Sequence, residues 1–302
     1  MRRSTLLFYI INITVFYIVS GFCPHISQAD QLPVFVSILP QKYFVQQIGK
    51  DKVDIRVMVA PGASPATYEP KPSQMAALAT TRIYFSIGVP FEAVWLKKIA
   101  ATNPMMAIVP TDHGIAKLDM ARHNHNSSKE SSGVATSHRH GVKDPHIWTS
   151  PPLVMLQARA IVTALQAVDP VNTGYYETNY KAFIDALVGL DFKIRELLAD
   201  KKGASFLVFH PSWGYFAHTY GLNQVAIEIE GKEPKAASLE SLIDDARQEN
   251  IKAVFVQPQF SSKAAELIAR AIGGKVIPAD PLAGDWASNL LEQARRFKAA
   301  SR

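Results

Sequence analysis

Tyr176, Tyr180, Phe183, Leu187, Leu190, Ile194 and Leu197 recur at spacings of four and three, which puts one unbroken apolar stripe on a single helix from about Val171 to Asp200. At 1.5 Å per residue this helix extends roughly 45 Å, enough to run beside two packed bodies. An isolated stripe of this kind is also what an ordinary amphipathic surface helix carries. The flanking sequence favours a bridge, and a bridging strut restricts hinge motion between the parts it joins.

On both sides of the stripe, short apolar runs alternate with helical patterns. "VFVSIL" reads as a buried strand, and Pro40 opens a helix whose Phe44, Val45 and Ile48 share a face, with Gly49 as its stop. "DIRVMVA" is a strand, "SQMAALAT" a helix, "RIYFSIGV" a strand, Phe91 to Ala101 a helix and "MAIVP" a strand; a further helix begins near Pro151. After Gly203 the alternation returns: "SFLVF", "QVAIEI", "AVFVQ" and "KVI" as strands, with helices over Pro211 to Tyr220, around Leu239 to Ala246, over Ser261 to Ile272, and from Trp286 onward. Strand–helix alternation at this spacing predicts parallel sheets with helices on their faces. The expected fold is therefore α/β, with two lobes joined by a long linking helix and a ligand cleft between them. The expected boundaries are 1–29 for an export signal, 30–170 for the first lobe, 171–201 for the linking helix and 202–302 for the second lobe.

The signal rests on Arg2 and Arg3, an apolar run from Leu6 to about Phe22, and the small-x-small sequence Ser27-Gln28-Ala29, with cleavage expected after Ala29. A retained membrane anchor is the competing reading, because the apolar run is nearly long enough to span a bilayer; Asn12 and the Ser27/Ala29 pair favour cleavage. A periplasmic location follows. Cys23 is the only cysteine and lies within the signal, so the mature chain has neither disulfides nor thiolate metal ligands. Any metal site must be built from histidines and carboxylates. Loss of Arg2 and Arg3 lowers the formal charge from +6 to +4, too mild to argue for a nucleic-acid partner. The mature chain of about 270 residues exceeds the usual single core, in keeping with two lobes.

Three stretches place a metal-type side chain beside a turn residue: "KDPHIW" with His146, "FHPSWGYF" with His210 and "IPADPLAGDW" with Asp280. His210 and Asp280 directly follow expected strands, at the strand ends where α/β sheets form their binding sites. Each alone carries little weight, because a lone histidine is more often a satisfied polar residue and Asp-Pro a common turn. Asp144 is a candidate to orient His146 through its second ring nitrogen, and reads equally as a turn-former before Pro145. His113 and His218 read as surface or structural residues, Trp213, Tyr215 and Phe216 as core, and Glu233 in "EGKEP" as either a cleft-shaping or a loop charge.

"PGASPATYEPKPSQM", "DPHIWTSP", "YETNYKAF", "HPSWGYFAHTYGL", "EIEGKEPKAASL", "VFVQPQFS" and "DPLAGDW" occur in this order over nearly all of the mature chain. In order and spacing they resemble the ZnuA/TroA-like family, the solute-binding proteins of ABC importers for zinc and manganese. The resemblance implies a rigid linking helix and one metal ion in the cleft, held by His146 from the first lobe and by His210 and Asp280 from the second. It implies zinc as the metal, with manganese as an alternative that prefers more oxygen donors. It also implies a membrane permease as partner and a chain that acts as a monomer. The family pattern G-x-x-P-H expects a fourth ligand where this chain has Ala66. A water or small anion, Glu69 from the same loop, or a histidine from a neighbouring tether are the replacements, in that order of preference.

That tether is "RHNHNSSKESSGVATSHRH", Arg122 to His140, with His123, His125, His138 and His140 among small polar residues. Nothing in it can be buried, so its removal should barely change the fold. The resemblance implies a low-affinity zinc loop that raises the local metal concentration; the alternative is a polar insertion whose histidines do nothing. Two other functions compete with metal delivery. A metallohydrolase would use an open coordination position, but the chain has no HExxH motif and no evident general base beside the ligands, Glu69 excepted. A binder of a chelated metal or another small solute would fill that position with the chelator. No enzyme activity is expected.

Overall fold

The computed structural model describes residues 31–120, 142–228, 236–260 and 263–300. Its first sheet contains β1 (Leu32–Val36), β2 (Val53–Val57), β3 (Ile83–Ser86) and β4 (Ala107–Pro110), in the order β2-β1-β3-β4. The second contains β5 (Ser205–Val208), β6 (Asn223–Ala226), β7 (Ala253–Val256) and β8 (Lys275–Pro278), in the order β6-β5-β7-β8. Every pairing among these eight strands is parallel, as the alternating pattern predicts. The inner strands β3 and β7 are buried at all four positions, because helices cover both faces of a parallel sheet. In each sheet the strand order reverses beside the first strand, between β1 and β3 and between β5 and β7. Both reversals create a crevice at the carboxyl ends of the strands.

Nine helices accompany the strands among the described residues: α1 (Leu39–Gly49), α2 (Pro72–Ala77), α3 (Pro90–Thr102), α4 (Pro151–Val168), α5 (Thr173–Leu197), α6 (Gly214–Tyr220), α7 (Ala236–Gln248), α8 (Lys263–Ala271) and α9 (Trp286–Ala300). Helix α1 buries Phe44, Val45 and Ile48 and ends at Gly49, as read from the sequence. Helix α6 starts three residues later than the pattern suggested. The Ser212 amide turns back to the His210 carbonyl at 2.8 Å, so His210 to Ser212 form a bend. That bend keeps His210 at the strand end instead of inside a helix.

The long helix is α5, whose 25 residues span roughly 38 Å. Of its stripe, Tyr176, Phe183, Leu187 and Ile194 are buried, and Tyr180, Leu190 and Leu197 pack half-buried against the same core. Asn179 Nδ2 donates to the Ile48 carbonyl (3.1 Å) and Tyr175 to Asp51 (2.6 Å), tying the helix to the first lobe. At the other end Lys298 of α9 donates to the Leu197 carbonyl (2.7 Å) and to Asp200 (2.8 Å). Phe183 meets Phe44 and Tyr43 with centroids 6.1 and 6.2 Å apart, and Trp286 of α9 stands edge-on to Phe44 at 5.0 Å. The main apolar core thus runs from the first sheet past α5 into the second, while a smaller one lies under α7 and α8. Burying side chains of this size stabilises by roughly 1.5–3 kcal/mol each, so a core shared by both lobes resists their separation.

Candidate metal centre

His210 follows β5 by two residues, and Glu228 follows β6 by two. The β5–β6 register pairs Val208 with Ala226, so its continuation sets His210 beside Glu228. His210 Nδ1 lies 2.5 Å from Glu228 Oε1, and Glu228 is 4% exposed. Gln257, just past β7, fixes the backbone of His210 from the other side of the crevice. Its Oε1 accepts from the His210 amide (3.2 Å), while Nε2 donates to the His210 carbonyl (2.6 Å) and to Ser212 (2.8 Å). Phe260 stacks on the imidazole at 5.0 Å.

His146 lies on the first-lobe side, ahead of α4. Its Nδ1 is 2.6 Å from Asp144 Oδ1, which also accepts the His146 backbone amide at 2.9 Å. This is the orienting role the sequence suggested for Asp144. Asp144 is in turn fixed from the second lobe: Tyr215 donates to its carbonyl at 2.8 Å, and Gly214 leaves room for its carboxylate. A Cβ at Gly214 would stand 2.7 Å from Asp144 Oδ2. Burial holds the His146 imidazole below its ordinary pKa, against the opposing pull of Asp144. The ring therefore stays neutral, the form that binds a metal, into mildly acidic solution.

The two rings meet edge to face, with centroids 5.2 Å apart at 73°. In both, a carboxylate engages Nδ1, which leaves Nε2 as the free donor. They open into a cavity between the lobes whose other walls are mainly apolar, among them Ala66, Val89, Pro90, Trp148, Phe260 and Leu282. Ala66 lines this cavity, and Glu69 is exposed and does not. Asp280 follows β8 but lines an adjoining cavity. Gln259 and Leu282 border both spaces. Asp280 Oδ1 accepts from Gln259 Nε2 (3.2 Å) and from the Leu282 amide (2.9 Å), and Asn289 holds its backbone carbonyl at 2.8 Å. Among the described residues no three His, Cys, Asp or Glu side chains form a group that could hold a metal. The structure thus brings His146 and His210 together and leaves Asp280 in the adjoining cavity, bonded to Gln259.

A family model described as zinc-uptake complex component A, periplasmic (ZnuA), matches residues 34–300. The chain belongs to the ZnuA family. It is similar to the high-affinity zinc uptake system protein ZnuA of Bacillus subtilis (strain 168), at 30% identity over 262 residues that cover 85% of this chain and 81% of that one. A crystal structure of ZnuA superposes with a TM-score of 0.82 at 42% identity, covering 90% of this chain and 99% of the other. A ZnuA deletion mutant with zinc bound gives 0.81 at 42% identity, covering 90% and 98%. Membership makes the chain a solute-binding component of a zinc-uptake system and sets the hydrolase reading aside, because this family is not one of enzymes. The ZnuA-family fold has two α/β lobes around a linking helix, as the sequence indicated.

Sequence reasoning missed Glu228, Gln257 and Gln259, the residues that hold His210 and Asp280. An acid ending the apolar run "QVAIEI" was the available signal for Glu228. His113 and His218 are exposed, and Trp213, Tyr215 and Phe216 are buried, as expected. The export signal, the tether histidines His123, His125, His138 and His140, and Glu233 lie outside the described residues.

Proposed function

We propose that this chain captures zinc in the cleft between its lobes and delivers it to the membrane permease of an ABC importer, acting as a monomer in the periplasm after cleavage of residues 1–29. His146 and His210 bind through Nε2. Asp280 becomes the third ligand when its carboxylate exchanges the Gln259 bond for the metal, with the Leu282 amide keeping hold of Oδ1. Two nitrogens and one carboxylate oxygen suit tetrahedral zinc better than manganese, and a water or small anion completes the set in front of Ala66. The single observation that carries this reading is the edge-to-face pair of imidazoles, each bonded at Nδ1 to a buried carboxylate. Support for zinc also comes from the relatives, one named as a high-affinity zinc uptake protein and another solved with zinc bound.

The test is metal content and zinc titration of the mature chain beside His210→Ala and a deletion of Arg122 to His140. One tight equivalent in the wild type should vanish with His210→Ala and survive the deletion, which should remove only weaker equivalents. No tight site in the wild type refutes the proposal. The apolar walls of the cavity favour a second reading, a metal that arrives already chelated; it predicts tight binding only when the chelator is supplied.

A further inference from the structure

Two indoles cross between the lobes and bond to backbone beside the candidate ligands. Trp148 stands two residues after His146, and its Nε1 donates to the carbonyl of Pro281, the residue after Asp280, at 2.7 Å. Trp286 opens α9 in the second lobe, and its Nε1 donates back to the Trp148 carbonyl at 2.8 Å. Both are essentially inaccessible, at 1% and 2% exposure. Asp280 and Pro281 lie in the irregular segment between β8 and α9, where no ladder or helix fixes the backbone relative to the first lobe. These two bonds supply that constraint. Trp213 is as deeply buried, and among the described residues its Nε1 makes no bond to the facing lobe.

We propose that Trp148 and Trp286 form a latch that fixes the backbone carrying Asp280 against the backbone carrying His146, leaving only the Asp280 side chain to move, and makes both tryptophans positioning residues for metal capture. The proposal rests on the metal site described above. A site whose donors belong to two lobes loses affinity when their relative position must be ordered at the moment of binding. The latch settles the backbone part of that order during folding.

The test compares W148F and W286F with W213F, reading zinc affinity, thermal stability and the visible spectrum of the cobalt(II) form, since zinc itself is spectroscopically silent. Each latch variant should weaken zinc binding about five- to tenfold, the worth of one buried hydrogen bond, and should shift the cobalt bands as the ligand geometry loosens. W213F should lower the melting temperature with affinity and spectrum unchanged. Wild-type affinity and spectrum in both latch variants overturn the proposal, as does an equal loss in W213F. A wild-type chain that takes up neither metal overturns the metal reading itself, and the latch with it. Should the Phe variants not fold, hydrogen exchange of the assigned Trp148 and Trp286 indole protons in the metal-free wild type decides. Protection of both is expected, and rapid exchange of either overturns the latch.

Discussion

Glu228 offers the sharpest test of how the cleft holds a metal, because its charge and its hydrogen bond can be removed separately. Its Oε1 lies 2.5 Å from His210 Nδ1. A metal on the opposite ring nitrogen, at a bond of about 2 Å, would stand roughly 6–7 Å from that carboxylate. At an effective dielectric of about 20, one unit of metal charge at this separation interacts with the carboxylate by about 2.5 kcal/mol. With Asp280 bound, zinc carries one net positive charge, so removing the Glu228 charge should weaken binding by that amount, or roughly 70-fold. Glu228→Gln removes the charge and keeps an acceptor oxygen for Nδ1. Glu228→Ala also frees the ring and leaves a buried N–H without a partner, which adds about 1 kcal/mol, or some fivefold. The expected order is thus wild type, then Gln at roughly 70-fold weaker, then Ala several-fold weaker again, measured by competition with a chromophoric zinc chelator above the ordinary imidazole titration range. Should Gln bind like wild type while Ala is weak, orientation and not charge is the contribution. If both bind within threefold of wild type, His210 is not a ligand through Nε2 and the site is wrong.

Two further perturbations probe the cleft and its support. Ala66→His adds a donor on the cavity wall beside both imidazoles, and zinc affinity should rise on the order of 10- to 100-fold, the scale on which single contributors to a metal site act; unchanged affinity in the same chelator competition would show that this wall does not face the metal. Buried Glu92 accepts from Ser37 Oγ (2.5 Å), the Ile87 amide (3.0 Å) and the Gly88 amide (2.7 Å), bracing the segment that leads to Val89 and Pro90 of the cavity. Burial, outweighing these bonds, raises its pKa above the ordinary 4.5. A raised carboxyl pKa contributes stability below the unfolded value and loses it as pH rises through the folded one, by about 1.4 kcal/mol for each tenfold weakening of the acid on folding. Denaturant unfolding of the metal-free protein should therefore show wild type losing ground to Glu92→Gln as pH rises from 4.5. A pH-independent difference would refute the assignment.

The layered α/β plan was legible because its signals are local: runs of apolar residues end in turns, and the α5 stripe has a single period. The strand-end positions of His210 and Asp280 were legible for the same reason. Glu228 was not, because its meaning depends on register. Only when Val208 pairs with Ala226 do positions two residues further on each strand become neighbours. An acid at the end of an apolar run reads equally well as the exposed side of an edge strand. Helix α6 failed at its start for a related reason: helical propensity in "PSWGYF" competes with the Gln257 bonds to the His210 backbone and to Ser212, contacts that only the folded crevice offers.

The same distinction separates two kinds of order within the cleft. His210, Glu228 and Gln257 all follow strands of one sheet, so sheet pairing that exists for stability already sets their positions. His146 and Asp280 have no sheet in common. Their relation depends on contacts between lobes: Tyr215 on the Asp144 carbonyl, Gly214 making room for the Asp144 carboxylate, and the two indole bonds. These contacts lie within a core that also buries α5, so opening the cleft widely would expose Trp148, Trp286 and Phe44 together. At roughly 1.5–3 kcal/mol per side chain, that opening would consume much of a domain's net stability of about 5–15 kcal/mol. On the proposed reading, metal entry and release call for small movements at the rim, and among the described residues a polar exchange close at hand is at Asp280, which Gln259 holds by a 3.2 Å bond, the longer of these two to Oδ1.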